Sequence, residues 1–178
     1  MINRLMRLGI ATVLLLGVCS FRAGPLRAGP DHQGDAGVAR PFLGMWRLVS
    51  WTERTKEGST RPGSADAGYL VYTDVDRMCA VMMDTRREKW TAGAPATVDA
   101  AVARFSGLIS YCARVEVHAA DGFVLHHVDV DRSPNIVGTI RKRWFTFEGP
   151  NRLVLRIDAA ELGPTLAEST LVWERVQK

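Results

Sequence analysis

Phe42-Leu43-Gly44-Met45-Trp46-Arg47-Leu48-Val49-Ser50-Trp51 opens the body of this 178-residue chain, and Leu171-Val172-Trp173-Glu174-Arg175 comes close to ending it. Both stretches are rich in β-branched and aromatic residues, which fit a pleated, half-buried surface. The same texture recurs between them, in segments near 45–52, 68–72, 77–83, 108–118, 122–131, 137–148, 152–158 and 170–176, separated by Gly, Pro, Asn and Asp. Short strands punctuated in this way are the mark of an all-β sandwich or barrel. Thr73-Asp74-Val75-Asp76, Ala120-Asp121-Gly122 and Gly149-Pro150-Asn151 join neighbours so tightly that sequential strands must pair antiparallel. Eight such segments suit closure into an up-and-down barrel. One stretch breaks the pattern. At 96–105, Ala100, Ala101 and Ala103 raise helix propensity, Thr97 can serve as N-cap and Asp99 falls in the first turn, so a short helix capping the barrel is predicted there.

The length suits one domain. Residues 1–28 read as a signal peptide and leader: Arg4 and Arg7 form a positive start, and the apolar run from Leu8 to Val18 is too short for the ~20 residues a bilayer span needs. The expectation is export, with a periplasmic or secreted product and no transmembrane span in its mature form. Leu16-Gly17-Val18-Cys19 is similar to the lipobox of bacterial lipoproteins, except that Val18 stands where Gly, Ala or Ser is wanted. A lipid anchor at Cys19, holding the protein to the envelope, is therefore the alternative to cleavage after Ser20, Ala23 or Ala28. Residues 29–40 read as a flexible Gly/Ala/Asp-rich linker, and 41–178 as the barrel domain.

The whole chain carries 23 basic and 19 acidic side chains, but the leader holds Arg4, Arg7, Arg22 and Arg27 and no acid. The remainder is thus near neutral. What is left, Arg141-Lys142-Arg143 and Arg86-Arg87 with Lys89, is too short for a nucleic-acid footprint and reads as solvated charge. Once Cys19 leaves with the leader, Cys79 and Cys112 are the two thiols that stay. Two readings stand, a disulfide formed in an oxidising compartment or a pair of buried thiols acting as small apolar groups. No Cys/His spacing of a zinc site is present, and no metal or cofactor is called for. Catalytic motifs are also missing, including Gly-x-Ser-x-Gly, His-Glu-x-x-His and a phosphate-cradling glycine loop.

From residue 41 onward the chain resembles the bacterial lipocalin-like domain family of small calycin-type barrels. The resemblance rests on the Gly44-Met45-Trp46 start, on Gly68-Tyr69-Leu70-Val71-Tyr72-Thr73 and Met78-Cys79-Ala80, and on Ser110-Tyr111. It continues through His126-His127-Val128, Pro134-Asn135, Gly138-Thr139, Arg143 and Trp173-Glu174-Arg175. It implies a lipocalin-like barrel in which Trp46 plugs one end and Arg175 lies across its indole face beside Gly44. The chain departs from the family where Tyr111-Cys112-Ala113-Arg114-Val115 replaces Tyr-x-Gly-Arg-Tyr, and at Ile136, where an aromatic is usual.

Alternation assigns faces. In 122–131 the apolar face reads Val124, His126, Val128, Val130 and the other Leu125, His127, Asp129, Asp131, so His126 is expected inside and the acids in water. A histidine among valines needs a hydrogen-bond partner, whether a tyrosine, the backbone or a ligand. Periodicity leaves Arg143 unoriented; the resemblance turns it inward, where it would grip a bound carboxylate or pair with Glu116 or Asp129. The site expected is a cavity for a small hydrophobic molecule with an acidic head, held by Arg143 and His126, with Tyr72, Met82, Tyr111 and Trp144 along the tail. Two other functions compete with such carriage. One is a non-hydrolytic isomerase or cyclase using His126 and Tyr111 on an enclosed apolar substrate; the other is an envelope domain with no small ligand, its interior plugged by its own side chains.

Overall fold

A computed structural model of the chain describes residues 40–93 and 97–177. The leader, Cys19 and the linker as far as residue 39 lie outside the described residues. Nine strands form one antiparallel sheet: β1 (Gly44–Thr55), β2 (Thr60–Pro62), β3 (Ala67–Tyr72), β4 (Arg77–Met83), β5 (Leu108–His118), β6 (Phe123–Asp131), β7 (Ile140–Phe147), β8 (Arg152–Asp158) and β9 (Leu166–Arg175). β1 pairs with β3 over Gly44–Arg47 and with β9 from Trp46 to Thr55, so eight strands close into a barrel. Little β2, not foreseen from sequence, forms a hairpin on the far end of β1. The up-and-down lipocalin-like barrel with one short helix is the observed architecture.

The end of the barrel at Trp46 is solid. Trp46 is fully buried and its Nε1 donates to the Phe42 carbonyl at 2.7 Å. The Arg175 guanidinium lies 4.1 Å above the indole ring. It also donates to the carbonyls of Pro41, Leu43 and Pro150, tying the entry to β1 to the exit from β9. Gly44 makes room for this clasp: its φ is +112°, and a Cβ there would sit 3.3 Å from Arg175 Nη1. Phe42 fills the space above, with ring centroids 5.1 Å from Tyr72 and 4.9 Å from both Phe145 and Phe147.

Three register shifts fall toward the other end, at Leu48/Ser50 and Arg54/Thr55 in β1–β9 and at Cys112/Ala113 in β5–β6, and two of them re-aim side chains of the cavity. In β1 the pairing with β9 slips between Leu48 and Ser50, leaving Val49 outside the register. Before the slip Trp46 and Leu48 point inward; after it Trp51 and Glu53 do. In β6 the pairing with β5 skips Asp129, since Ala113 faces Val128 and Cys112 faces Val130. The expected alternation therefore fails at its last two members: Val130 turns out into water, 62% exposed, and Asp131 turns in. One extra residue re-aims every side chain beyond it.

The helix α1 (Val98–Ser106) forms where propensity placed it, with the Thr97 hydroxyl accepting from Ala100 N at 3.2 Å. It does not cap the barrel, because none of its residues is buried and none lines the interior cavity. Cys79 and Cys112 are cross-strand partners in β4 and β5 and are joined by a disulfide on the outer face of the wall. No helix among the described residues is long and apolar enough to cross a membrane.

Candidate functional site

Away from Trp46 the barrel encloses a cavity of about 400 Å³. That volume lies at the small end of the ~300–1,000 Å³ typical of ligand pockets. Its walls are mainly apolar, with Leu70, Met82, Ile109, Ile157, Leu171 and Trp173 contributed by strands on every side. The bulges add Trp51, whose Nε1 donates to Ser169 Oγ at 2.6 Å, and Asp131. An interior plugged by its own side chains, the expectation attached to a ligand-free envelope domain, is not what this barrel holds.

The polar side of the cavity is built on β7, whose inward positions are Arg141, Arg143, Phe145 and Phe147. Arg143 is committed within the protein. Its Nη1 donates to Glu161 Oε2 at 2.8 Å and to the Lys142 carbonyl at 2.6 Å, while Glu161 Oε1 accepts from Lys142 N at 2.8 Å. Glu161 reaches in from a 3-10 turn, Ala159–Glu161, that follows β8. Arg141 is different: it lines the same cavity, its guanidinium carbon 5.9 Å from the Tyr111 ring centroid, and no carboxylate lies within 4 Å of it among the described residues. Its buried Nε has no hydrogen-bond partner. Arg132, Arg141 and Arg143 against Asp131 and Glu161 leave the lining with one net positive charge.

Behind this corner three buried side chains form a chain of hydrogen bonds. Tyr72 Oη lies 3.0 Å from His126 Nε2, and Tyr111 Oη lies 3.0 Å from His126 Nδ1. Tyr111 lines the cavity, whereas His126 and Tyr72 lie outside its lining. Burial, reinforced by the charges of Arg143 and Arg141, holds His126 well below the usual imidazole range. Burial likewise pushes the Tyr72 hydroxyl well up and that of Tyr111 up, Arg143 and Arg141 opposing the second shift.

The family model for the lipocalin-like domain matches residues 43–176. The chain belongs to this family. No curated protein matches it. Among solved structures, a redesigned β-barrel, b11L5F_LGL, is 11% identical with a TM-score of 0.39, covering 79% of this chain and 96% of that one. EF1p2_mFAP2b bound to DFHBI is 13% identical with a TM-score of 0.39, covering 79% and 98%. The barrel of this lipocalin-like domain is of a kind suited to small-molecule binding in general.

Measured against the sequence expectations, Met82, Tyr111 and Arg143 of the lipocalin-like domain line the cavity, and Tyr72 and His126 stand behind it. Trp144 does not line it. Adjacent strand residues face opposite ways, so an inward Arg143 sends Trp144 outside, where it donates to Asp158 and carries Lys142 Nζ 3.8 Å over its ring. The internal partners weighed for Arg143 are engaged elsewhere: Glu116 binds His118 and His127 on the outer surface, and Asp129 lies 3.7 Å from Arg77. Among the described residues no group of three or more His, Cys, Asp or Glu is placed to hold a metal. Sequence reading missed Arg141, Glu161, Trp51 and Asp131. Only Arg141 had left a signal, since it shares a strand face with Arg143.

A neutral, buried His126 has a consequence for stability. In the unfolded chain a histidine titrates near ~6.5, and the folded lipocalin-like domain refuses that proton. Below that pH the unfolded state binds more protons, so stability must fall as pH falls. Between pH 7 and pH 5 the protein is expected to lose about 2 kcal/mol more than a His126→Gln variant in urea unfolding, the other histidines being common to both. Equal losses in the two proteins would show that His126 is protonated inside the barrel.

Proposed function

We propose that this lipocalin-like domain is an exported carrier, periplasmic or secreted, that holds a small hydrophobic molecule bearing an acidic head in its barrel. The leader's charged start and short apolar run support export, and a disulfide is in keeping with an oxidising compartment. The observation that carries the ligand class is Arg141. An arginine inside a largely apolar cavity with no carboxylate of its own is a costly arrangement, and an anionic head group would supply the missing partner. Arg143, already neutralised by Glu161, serves as the fixed wall beside it rather than as the gripping residue.

Decanoic acid and decanol test this, read through the fluorescence of the cavity residues Trp51 and Trp173. A charge-assisted hydrogen bond contributes about 1.5–3 kcal/mol, so the acid should bind on the order of ten- to a hundredfold more tightly than the alcohol. Arg141→Met is expected to erase that preference while leaving decanol binding intact. Equal affinities for acid and alcohol in the wild-type protein would overturn the acidic-head reading.

A further inference from the structure

The Tyr72–His126–Tyr111 chain has a direction, and the direction can be worked out from burial. Tyr72 is buried, and His126 Nε2 is the hydrogen-bond partner of its hydroxyl among the described residues. His126 is neutral, so one ring nitrogen carries a proton and the other accepts one. Suppose the proton were on Nε2. It would be donated to Tyr72, and the hydrogen of the Tyr72 hydroxyl would then be sealed in the wall with no acceptor. With the proton on Nδ1, Tyr72 donates to Nε2, Nδ1 donates to Tyr111, and the one hydrogen left over is that of the Tyr111 hydroxyl, on the cavity side rather than inside the wall. Leaving a buried donor unmade disfavours the first arrangement by on the order of ten- to a hundredfold.

The second arrangement has an outcome at the cavity. Tyr111 accepts from His126 and so keeps its own hydroxyl hydrogen, and Tyr111 is the member of the three that lines the cavity. Its neighbours there are Arg143, which acts on the Tyr111 hydroxyl by charge and hydrogen bonding, and Arg141, 5.9 Å from the ring centroid; both offer only N–H groups. We infer that Tyr72, which does not touch the cavity, acts through His126 to fix Tyr111 as a hydrogen-bond donor toward the ligand, so that this corner selects head groups presenting bare acceptor oxygens, carboxylate or carbonyl. Tyr72 is in this sense a positioning residue. The inference deepens the acidic-ligand reading and rests on it for the charge of the head, but the wiring itself needs no ligand.

Nitrogen chemical shifts of the His126 ring in the free protein, from long-range proton–nitrogen correlation, give the first test. The proton is expected on Nδ1; finding it on Nε2 overturns the inference outright. Tyr72→Phe is nearly isosteric and removes the hydroxyl that donates to Nε2. In that variant either tautomer leaves Nε2 unpaired, as a bare N–H or a bare lone pair, so that penalty no longer discriminates. Because a phenol is a stronger donor than an imidazole N–H, Tyr111 should then turn its hydrogen onto Nδ1 and the ring proton should move to Nε2. Affinity for decanoic acid and for the uncharged acceptor 2-decanone should fall roughly five- to twentyfold, close to the loss in Tyr111→Phe, with binding of decane unchanged. A Tyr72→Phe protein that keeps the Nδ1 proton and full affinity for both acceptors would also overturn it. Failure of the carrier reading looks different: the Nδ1 proton would be in place and would respond to Tyr72→Phe, while the wild-type protein showed no preference between decanoic acid and decanol.

Discussion

Trp46→Ala is expected to remove about 3–5 kcal/mol of folding stability. Three terms act together there. The indole is fully buried, so its removal leaves a cavity lined by Phe42 and Phe147 that a closed ring of strands cannot collapse to fill. The Phe42 carbonyl loses its donor. Arg175 loses the face it lies on while remaining tied to the carbonyls of Pro41, Leu43 and Pro150. Trp46→Phe separates these contributions, since it keeps a ring under Arg175 and removes only the N–H and part of the volume; its loss should be about 1–2 kcal/mol. Trp90→Ala is the control for tryptophan loss in general. That residue is 57% exposed, with the Arg104 guanidinium 4.5 Å over its ring, and its removal should change stability by no more than about 1 kcal/mol. Urea unfolding of the three variants gives the ranking, and a Trp46→Ala protein as stable as Trp90→Ala would mean that the sealed end contributes nothing to holding the barrel together.

The parts of the molecule that could be read from sequence are those where local chemistry repeats along the chain. Most strands alternate apolar and polar side chains between turns that cannot continue a ladder, and the first and last strands carry the Gly44, Trp46 and Arg175 clasp, so closure was legible. The cavity end was less so, for a physical reason. A bulge adds one residue without any compositional mark, and at Val49 and Asp129 that single residue exchanged the inner and outer faces for everything beyond it. Trp51 and Asp131 entered the cavity by that route, and Val130 left it. Strand β7 hid its orientation because both faces carry charge, Arg141 and Arg143 on one and Lys142 on the other. Glu161 was beyond reach altogether: it belongs to a 3-10 turn that only the closed barrel brings against Arg143. His126 was legible as an inward residue needing a partner, and two tyrosines supply it.

Loss of the Cys79–Cys112 disulfide is expected to lower stability by about 3–4 kcal/mol and to leave ligand binding untouched. The two cysteines are 33 residues apart, and on the chain-entropy model the cross-link acts by closing a loop of that length in the unfolded chain. In the folded protein they add little that pairing has not already fixed, because Cys79 and Cys112 are direct partners in a ladder that runs from Arg77–Arg114 to Met83–Leu108. They also point away from the cavity: the inward residues of β4 are Met78, Ala80 and Met82, and Tyr111 and Ala113 flank Cys112 on the inner face of β5. The Cys79→Ala/Cys112→Ala double variant should therefore unfold on the order of 10 °C lower. It should still bind decanoic acid as the parent does, and dithiothreitol should shift the parent to the same midpoint without further effect on the variant. A double variant whose acid binding weakened along with its stability would contradict this placement, since it would require the bond on the outer wall to hold the inner wall in shape.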